Sequence, residues 1–363
     1  MNNAKSFLST FLLILLVGLQ ALMYTQCNYS DTTSDLTNLN SGGEEIFLKQ
    51  KGAHIFGYLD SANVQPFIKN NINWITMVPY AAQKDVNTPA VVFYRGDSTE
   101  NARKDSTWKS QICVAHENGF KVFLKPHIWL TEPTDNQWRS DIFPANEEDW
   151  QLWKKDYRAY ILMYAKIAAD NEVEMYCIGA ELSRLVVEKT NFWIQLIKDV
   201  KQIYSGKLTY AANWNAEYKN ISFWNELDYI GIQAYFPLSN KNNPSVVQIS
   251  QGWKKYLSEM ESISKTFDRK VLFTEMGYKS TNNSAIEPWT WAENISDKSI
   301  SVSLETQANC YQAFFNTVWN KEWFAGVHIW QMRSDYMVER PEDNMNFSPQ
   351  GKSAEQVINR GFQ

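Results

Sequence analysis

Val271-Leu272-Phe273-Thr274-Glu275-Met276-Gly277-Tyr278 is an apolar run that ends on a carboxylate and then turns into loop. A glutamate directly after an apolar strand has no packing reason to be there. Ile178-Gly179-Ala180-Glu181 repeats the arrangement earlier in the chain. Outward from these two segments, one unit recurs from residue 53 onward: a short apolar run, a polar loop, an amphipathic helix. The predicted strands are Ala53–Tyr58, Trp74–Pro79, Lys121–His127, Glu174–Ala180, Leu208–Asn213, Tyr229–Ala234, Val271–Thr274 and Gly326–Ile329. Short apolar runs suit parallel strands buried on both faces. Helices are predicted near 100–118, 183–204, 245–267, 302–320 and 352–360. A further helix is capped by Asn146 and has Glu147, Glu148 and Asp149 in its first turn. Its apolar stripe is Trp150, Trp153, Tyr157, Tyr160, Tyr164 and Ile167, at helical spacing. Gly119 and Gly206 punctuate helix ends. Eight strands alternating with helices close most simply into a single (β/α)8 TIM barrel over residues 46–363. A doubly wound open sheet is the alternative, but no G-x-G-x-x-G follows the first strand.

The first 45 residues read differently. Lys5 is the only charge before Asp31, and Phe7 to Met23 is almost wholly apolar, the pattern of an export signal. Cys27 stands where a bacterial lipoprotein is lipidated, although Tyr24-Thr25-Gln26 departs from the small residues expected before it. Residues 1–27 are therefore read as a signal sequence or a membrane or lipid anchor. Lipoprotein, secreted protein and uncleaved anchor all place the body outside the cytoplasm, with membrane contact only through this segment. Residues 28–45, rich in Ser, Thr, Asn and Asp, read as a flexible tether. The other cysteines, Cys113, Cys177 and Cys310, have no metal or redox spacing and are expected as buried free thiols.

The chain of 363 residues has 35 Lys+Arg against 40 Asp+Glu, so no basic surplus is available for nucleic acid. Aromatic content is 14%, with 15 Trp. Packing accounts for about two thirds of the Trp; the rest suit a surface for flat amphipathic ligands such as sugars. The four histidines form no H-x-H or H-E-x-x-H, and no G-x-S-x-G or P-loop is present. No cofactor or metal is expected, and the body is expected to be a monomer.

In a TIM barrel the active site lies at the C-terminal ends of the strands. In order, the predicted ends present Tyr58 and Asp60; Tyr80; Lys125, His127 and Trp129; Glu181; Asn213 and Trp214; Gln233 and Tyr235; Glu275 and Tyr278; and Trp330, Gln331 and Arg333. Two carboxylates thus meet aromatics, amides and a histidine. Cleaving a glycosidic bond needs that pair: a proton for the leaving oxygen and an anion to meet the anomeric carbon. For Glu181 a competing reading is a cap on the next helix.

These residues identify a resemblance. Glutamates at the ends of strands four and seven are the arrangement of the retaining (β/α)8-barrel glycosidases. More specifically, the chain resembles glycoside hydrolase family 113, known for β-1,4-mannanases. The matching segments are Lys125-Pro126-His127-Ile128-Trp129, Gly179-Ala180-Glu181, the run from Asp228 to Leu238, Phe273-Thr274-Glu275-Met276-Gly277-Tyr278, and Ser348 to Glu355. The resemblance implies Glu181 as acid/base, Glu275 as nucleophile, Tyr235 beside the nucleophile and Trp330 as the platform under the sugar. It also marks a departure. Many members of the wider superfamily carry Asn before the acid/base, where it bonds the sugar 2-hydroxyl, and this chain has Ala180. Asn213 and His127 are the two candidates for that role.

Lys125 and His127 fall on one side by alternation and are candidate substrate or carboxylate partners. Trp129 and Trp214 are candidate stacking platforms. Trp138, Trp289 and Trp291, in long loops, are candidate cleft walls, and Arg333, Asp335 and Tyr336 are candidates for its border. The substrate partner expected is a poly- or oligosaccharide, with mannan or glucomannan first. Another β-glycan (glucan or xylan) and a non-catalytic glycan-binding barrel are the alternatives.

Overall fold

The structure is a computed structural model that describes residues 37–39, 45–93, 99–134, 137–292, 295–334 and 344–363. Residues Leu36–Gln363 form one unit. The leader at 1–27, Asp335 and Tyr336 lie outside the described residues. Within the segment read as a tether, Thr37–Leu39 pairs antiparallel with Glu45–Phe47. No described helix is long and apolar enough to cross a membrane.

Eight strands form the barrel: β1 (Gln50–Phe56), β2 (Trp74–Met77), β3 (Lys121–Leu124), β4 (Met175–Ala180), β5 (Lys207–Asn213), β6 (Tyr229–Gln233), β7 (Lys270–Met276) and β8 (Phe324–Arg333). Each pairs parallel with its neighbour in sequence, and β8 closes on β1. A helix follows each strand: α1 (Gln65–Lys69), α2 (Thr99–Glu117), α3 (Glu147–Asp170), α4 (Thr190–Lys201), α5 (Glu217–Asn220), α6 (Val246–Phe267), α7 (Leu304–Phe314) and α8 (Ser353–Gly361). The fold is the expected (β/α)8 barrel.

Its local determinants are the ones read in the sequence. Asn146 caps α3, its side chain accepting from the Asp149 N–H at 2.9 Å. The whole predicted stripe of α3, from Trp150 to Ile167, is buried. Ser245 and Gln248 form a reciprocal capping box at the start of α6. Aromatic rings fill the space between barrel and helices: Trp153 stacks on Tyr157 at 4.5 Å, and Trp253 on Phe273 at 5.8 Å. The barrel interior is partly polar. His328 bridges Thr76 Oγ1 at 2.6 Å and Gln50 Oε1 at 2.8 Å. Gly52 makes room for it, because a Cβ there would lie 2.2 Å from the ring.

Four expectations change. Strand three does not run unbroken to His127: β3 ends before Lys125-Pro126, and His127–Leu130 forms a separate parallel pair with Tyr80–Gln83. Pro79 and Pro126 stand at the two breaks, each with a fixed φ and no N–H. The pair extends the barrel wall upward and carries Tyr80, His127 and Trp129 to its rim. The helix predicted over 183–204 is two, Ser183–Glu188 and α4, joined at Lys189. Strand eight runs from Phe324 to Arg333, well beyond its predicted span. Cys177 and Cys310 are buried free thiols, but Cys113 on α2 is half-buried and not free.

Candidate active site

Glu275 is the sixth residue of β7, and its carboxylate is gripped from two sides. Lys125 Nζ, fully buried just past β3, lies 2.5 Å from Oε1. Tyr235, just past β6, donates its hydroxyl to Oε2 at 2.9 Å. His127 Nε2 stands 3.8 Å from Oε1. Gln233 Oε1 and the Thr274 carbonyl accept two further hydrogen bonds from the ammonium, at 2.9 and 3.3 Å, and so fix it in place. Burial raises the Glu275 carboxyl above its ordinary value, while the Lys125 charge and the two hydrogen bonds pull it back. Burial likewise lowers Lys125, with Glu275 opposing. Tyr235 is held well above the ordinary phenol range by burial and by Glu275, so it remains a donor.

Glu181 follows β4 directly, in left-handed backbone with φ 53°. Such a conformation costs a non-glycine residue about 1 kcal/mol. Two hydrogen bonds hold it, from Glu181 N–H to the Ala211 carbonyl at 2.9 Å and from Leu182 N–H to the Tyr210 hydroxyl at 2.7 Å. The turn sends the side chain into the barrel mouth, where it caps no helix. Asn213 Nδ2 donates to Oε1 at 3.0 Å and Trp138 Nε1 to Oε2 at 2.8 Å. Arg139 Nε stands 3.9 Å from Oε2.

Both carboxylates, each 5% exposed, open into one cavity of about 1690 Å³. His127, Asn213, Tyr235, Trp129, Trp214 and Trp330 line it, as do Trp138, Trp289 and Trp291. Six of the fifteen Trp thus face the cavity. Trp214 and Trp289 stack at 5.0 Å, and Trp291 meets Trp330 edge-on at 6.0 Å. Trp129 is half exposed, its ring edge-on to Tyr80 at 6.1 Å.

The family model for glycoside hydrolase family 113 matches residues 58–352. The chain belongs to glycoside hydrolase family 113. It is therefore an enzyme, a glycoside hydrolase, and its homologues act on polysaccharides or oligosaccharides. The fold is similar to that of solved proteins: a family 113 β-1,4-mannanase, 24% identical, with TM-score 0.73 over 87% of this chain and 99% of that one. The β-mannanase AaManA from Alicyclobacillus acidocaldarius matches over 86% and 97%, with the same identity and TM-score. A Bifidobacterium dentium β-glucuronidase is more distant, 14% identical with TM-score 0.55, and this chain spans 46% of it. No curated protein sequence matches the chain.

Several residues of this glycoside hydrolase stand elsewhere than their strand positions suggested. Phe56, not Tyr58 or Asp60, lines the cavity at the end of β1, because β1 begins and ends earlier than predicted. Tyr278 is buried against Tyr311. Arg333 lies over the Phe56 ring, 5.3 Å from its centroid, outside the lining. Asn213 donates to Glu181, and its Oδ1 accepts from Asn215 N–H at 2.9 Å.

Arg139 and Glu217 are among the residues at the hydrolase's site that the sequence did not single out. Arg139 follows Trp138 in the loop after β3; its Nη1 lies 2.6 Å from His127 Nδ1. Glu217 opens α5, buried beneath the site. It accepts from Tyr210 OH at 2.5 Å, from Ser183 Oγ at 2.7 Å and from Asn213 N–H at 2.7 Å. Burial pushes its carboxyl up to about 7. The spacing of Glu217, four residues beyond Asn213, was the available signal; an Arg in an irregular loop gives none.

Proposed function

We propose that the chain is an exported retaining β-1,4-mannanase that cleaves mannan or glucomannan by double displacement. The observation that carries this reading is the unlike support of two buried carboxylates in one aromatic cavity, in a family 113 hydrolase whose fold is that of β-mannanases. Lys125 and Tyr235 complement an anion at Glu275. Its carboxylate attacks the anomeric carbon and forms a glycosyl ester. Glu181, held by two neutral donors, gives its proton to the departing glycosidic oxygen. It then takes a proton from the water that opens the ester, so the configuration is retained after two inversions. Trp330 forms the floor beside the nucleophile. Trp129 and the stacked Trp214–Trp289 pair line the same cavity and give stacking surfaces for neighbouring sugars. The apolar stretch from Phe7 to Met23 and Cys27 support export, as a lipoprotein or a secreted protein, with residues 1–27 as signal or anchor.

The test uses the body from residue 46, incubated with mannan, glucomannan, xylan, mixed-linkage glucan and cellulose oligomers, with products separated by chromatography and anomers read by NMR. Mannan products released first as the β-anomer are expected. Products only from xylan or glucan would keep the chemistry and replace the substrate; α-anomers would remove the double displacement.

A further inference from the structure

His127 has one ring nitrogen engaged and one not. Nδ1 lies 2.6 Å from Arg139 Nη1. A guanidinium only donates, so Nδ1 is the acceptor, and in the neutral ring the hydrogen sits on Nε2. Burial, together with the charges of Lys125 and Arg139, holds the imidazole well below its ordinary range, which keeps the ring neutral. Nε2 is buried and has no hydrogen-bond partner among the described residues. Glu275 Oε1, at 3.8 Å, is out of reach, and Lys125 already holds that oxygen. An unpaired buried donor is costly, and the ring that carries it lines the same cavity as Glu275.

We propose that Arg139 is a positioning residue that locks His127 as an Nε2–H donor, and that this donor serves the hydroxyl next to the anomeric carbon of the sugar on Glu275. The second half rests on the glycosidase reading above. A sugar joined to Glu275 through its anomeric carbon brings two oxygens near that carbon: the ring oxygen and the C2 hydroxyl. The ring oxygen must release electron density to the anomeric carbon in the transition state, so a donor there opposes reaction. The C2 hydroxyl gains from one. Ala180 beside Glu181 supplies no polar side chain, and Asn213 is engaged with Glu181. Arg139 touches no reacting atom in this scheme; it fixes which nitrogen of His127 carries the proton.

Two measurements test the halves separately. In protein labelled with 15N-histidine and assigned with His127→Gln, long-range 1H–15N spectra are expected to show His127 protonated at Nε2, bare at Nδ1 and unchanged from pH 5 to 8. Arg139→Gln is expected to mix the tautomers and move the titration upward, because one depressing charge is gone; Arg139→Lys, which keeps a charge and a donor, changes less. A wild-type Nδ1–H tautomer, or spectra unmoved by Arg139→Gln, overturns the lock.

For the second half, an aryl β-mannobioside is compared with its analogue lacking the C2 hydroxyl on the unit that bears the aryl group. The intrinsic reactivity of the two cancels when their kcat/KM ratio is compared between variants. The ratio is expected to shrink about ten- to a hundredfold in His127→Phe, and less in Arg139→Gln, chiefly through kcat. An unchanged ratio in active His127→Phe removes the donor role. If the wild type hydrolyses neither compound, the mannosidase reading fails and the donor half with it, while the tautomer spectrum still decides the lock.

Discussion

The ends of β7 and β4 hold the same residue type at the same burial and treat it differently. Glu275 has an ammonium at 2.5 Å and a phenol at 2.9 Å. Glu181 has an indole at 2.8 Å and an amide at 3.0 Å, with its nearest charge at 3.9 Å. The two are equally buried, so burial cannot sort them into different tasks. Charge at contact distance can. A buried ammonium fits an ionised carboxylate. Two neutral donors are also compatible with a carboxyl that keeps its proton, since each oxygen has a second lone pair to share. In the proposed mechanism, environment rather than residue type divides nucleophile from acid.

The contrast breaks most visibly at Glu275. Glu275→Ala is expected to lower turnover of glycan roughly 10⁴-fold or more while binding survives. Azide is expected to restore cleavage and leave a sugar azide of inverted configuration. Near-wild-type turnover would end the assignment. Glu181→Ala comes next, with a loss of about 10²–10⁴-fold on natural glycan and far less on aryl glycosides whose leaving group needs no proton. Equal losses on both substrates would count against the acid role.

A stability measurement sharpens the β4 side. The folded Glu217 carboxyl sits at about 7, above its ordinary 4.5. Its contribution is complete below the ordinary carboxyl range and is lost as pH rises towards about 7, roughly 3 kcal/mol in all. Denaturant unfolding of the wild type is expected to weaken across that interval, and Glu217→Gln to flatten the dependence. A slope unchanged in the variant would exclude Glu217 as its source.

The smallest expected effect separates the two ends directly. In the proposed mechanism Glu275 works as an anion, so activity is expected to fall as pH drops through its raised value. Lys125→Gln removes the charge that holds that value down, and the acid limb of kcat/KM moves to higher pH. Trp138→Phe removes a neutral donor from Glu181 and is expected to leave that limb in place, with a loss of a few-fold, about 1 kcal/mol. A limb that moves equally in both variants would erase the distinction between the two ends.

The barrel was legible because its strands and helices are periodic and its core residues recur at fixed spacing. So were the strand ends, since a polar residue after an apolar run stands out: Glu181, Glu275, Lys125 and Tyr235 were all found this way. Boundaries were less legible. Pro126 signalled that strand three could not run straight, yet the second two-stranded sheet above the barrel depends on the pairing of Tyr80–Gln83 with His127–Leu130, which is tertiary. Arg139 was invisible for the same reason. Its partner His127 is twelve residues away, across a loop without period. The interior histidine His328 likewise lies in a run that reads as plain apolar strand.

The two carboxylates share one kind of support and differ in another: Lys125, Tyr235 and Asn213 stand at barrel strand ends, and Trp138 does not. Lys125 and Tyr235 stand at barrel strand ends, where a shifted backbone would disturb the closed sheet. Trp138 belongs to a connecting loop, beside Arg139. Insertions and exchanges in that loop are expected to disturb the indole that donates to Glu181 while leaving the Lys125 and Tyr235 contacts to Glu275 in place.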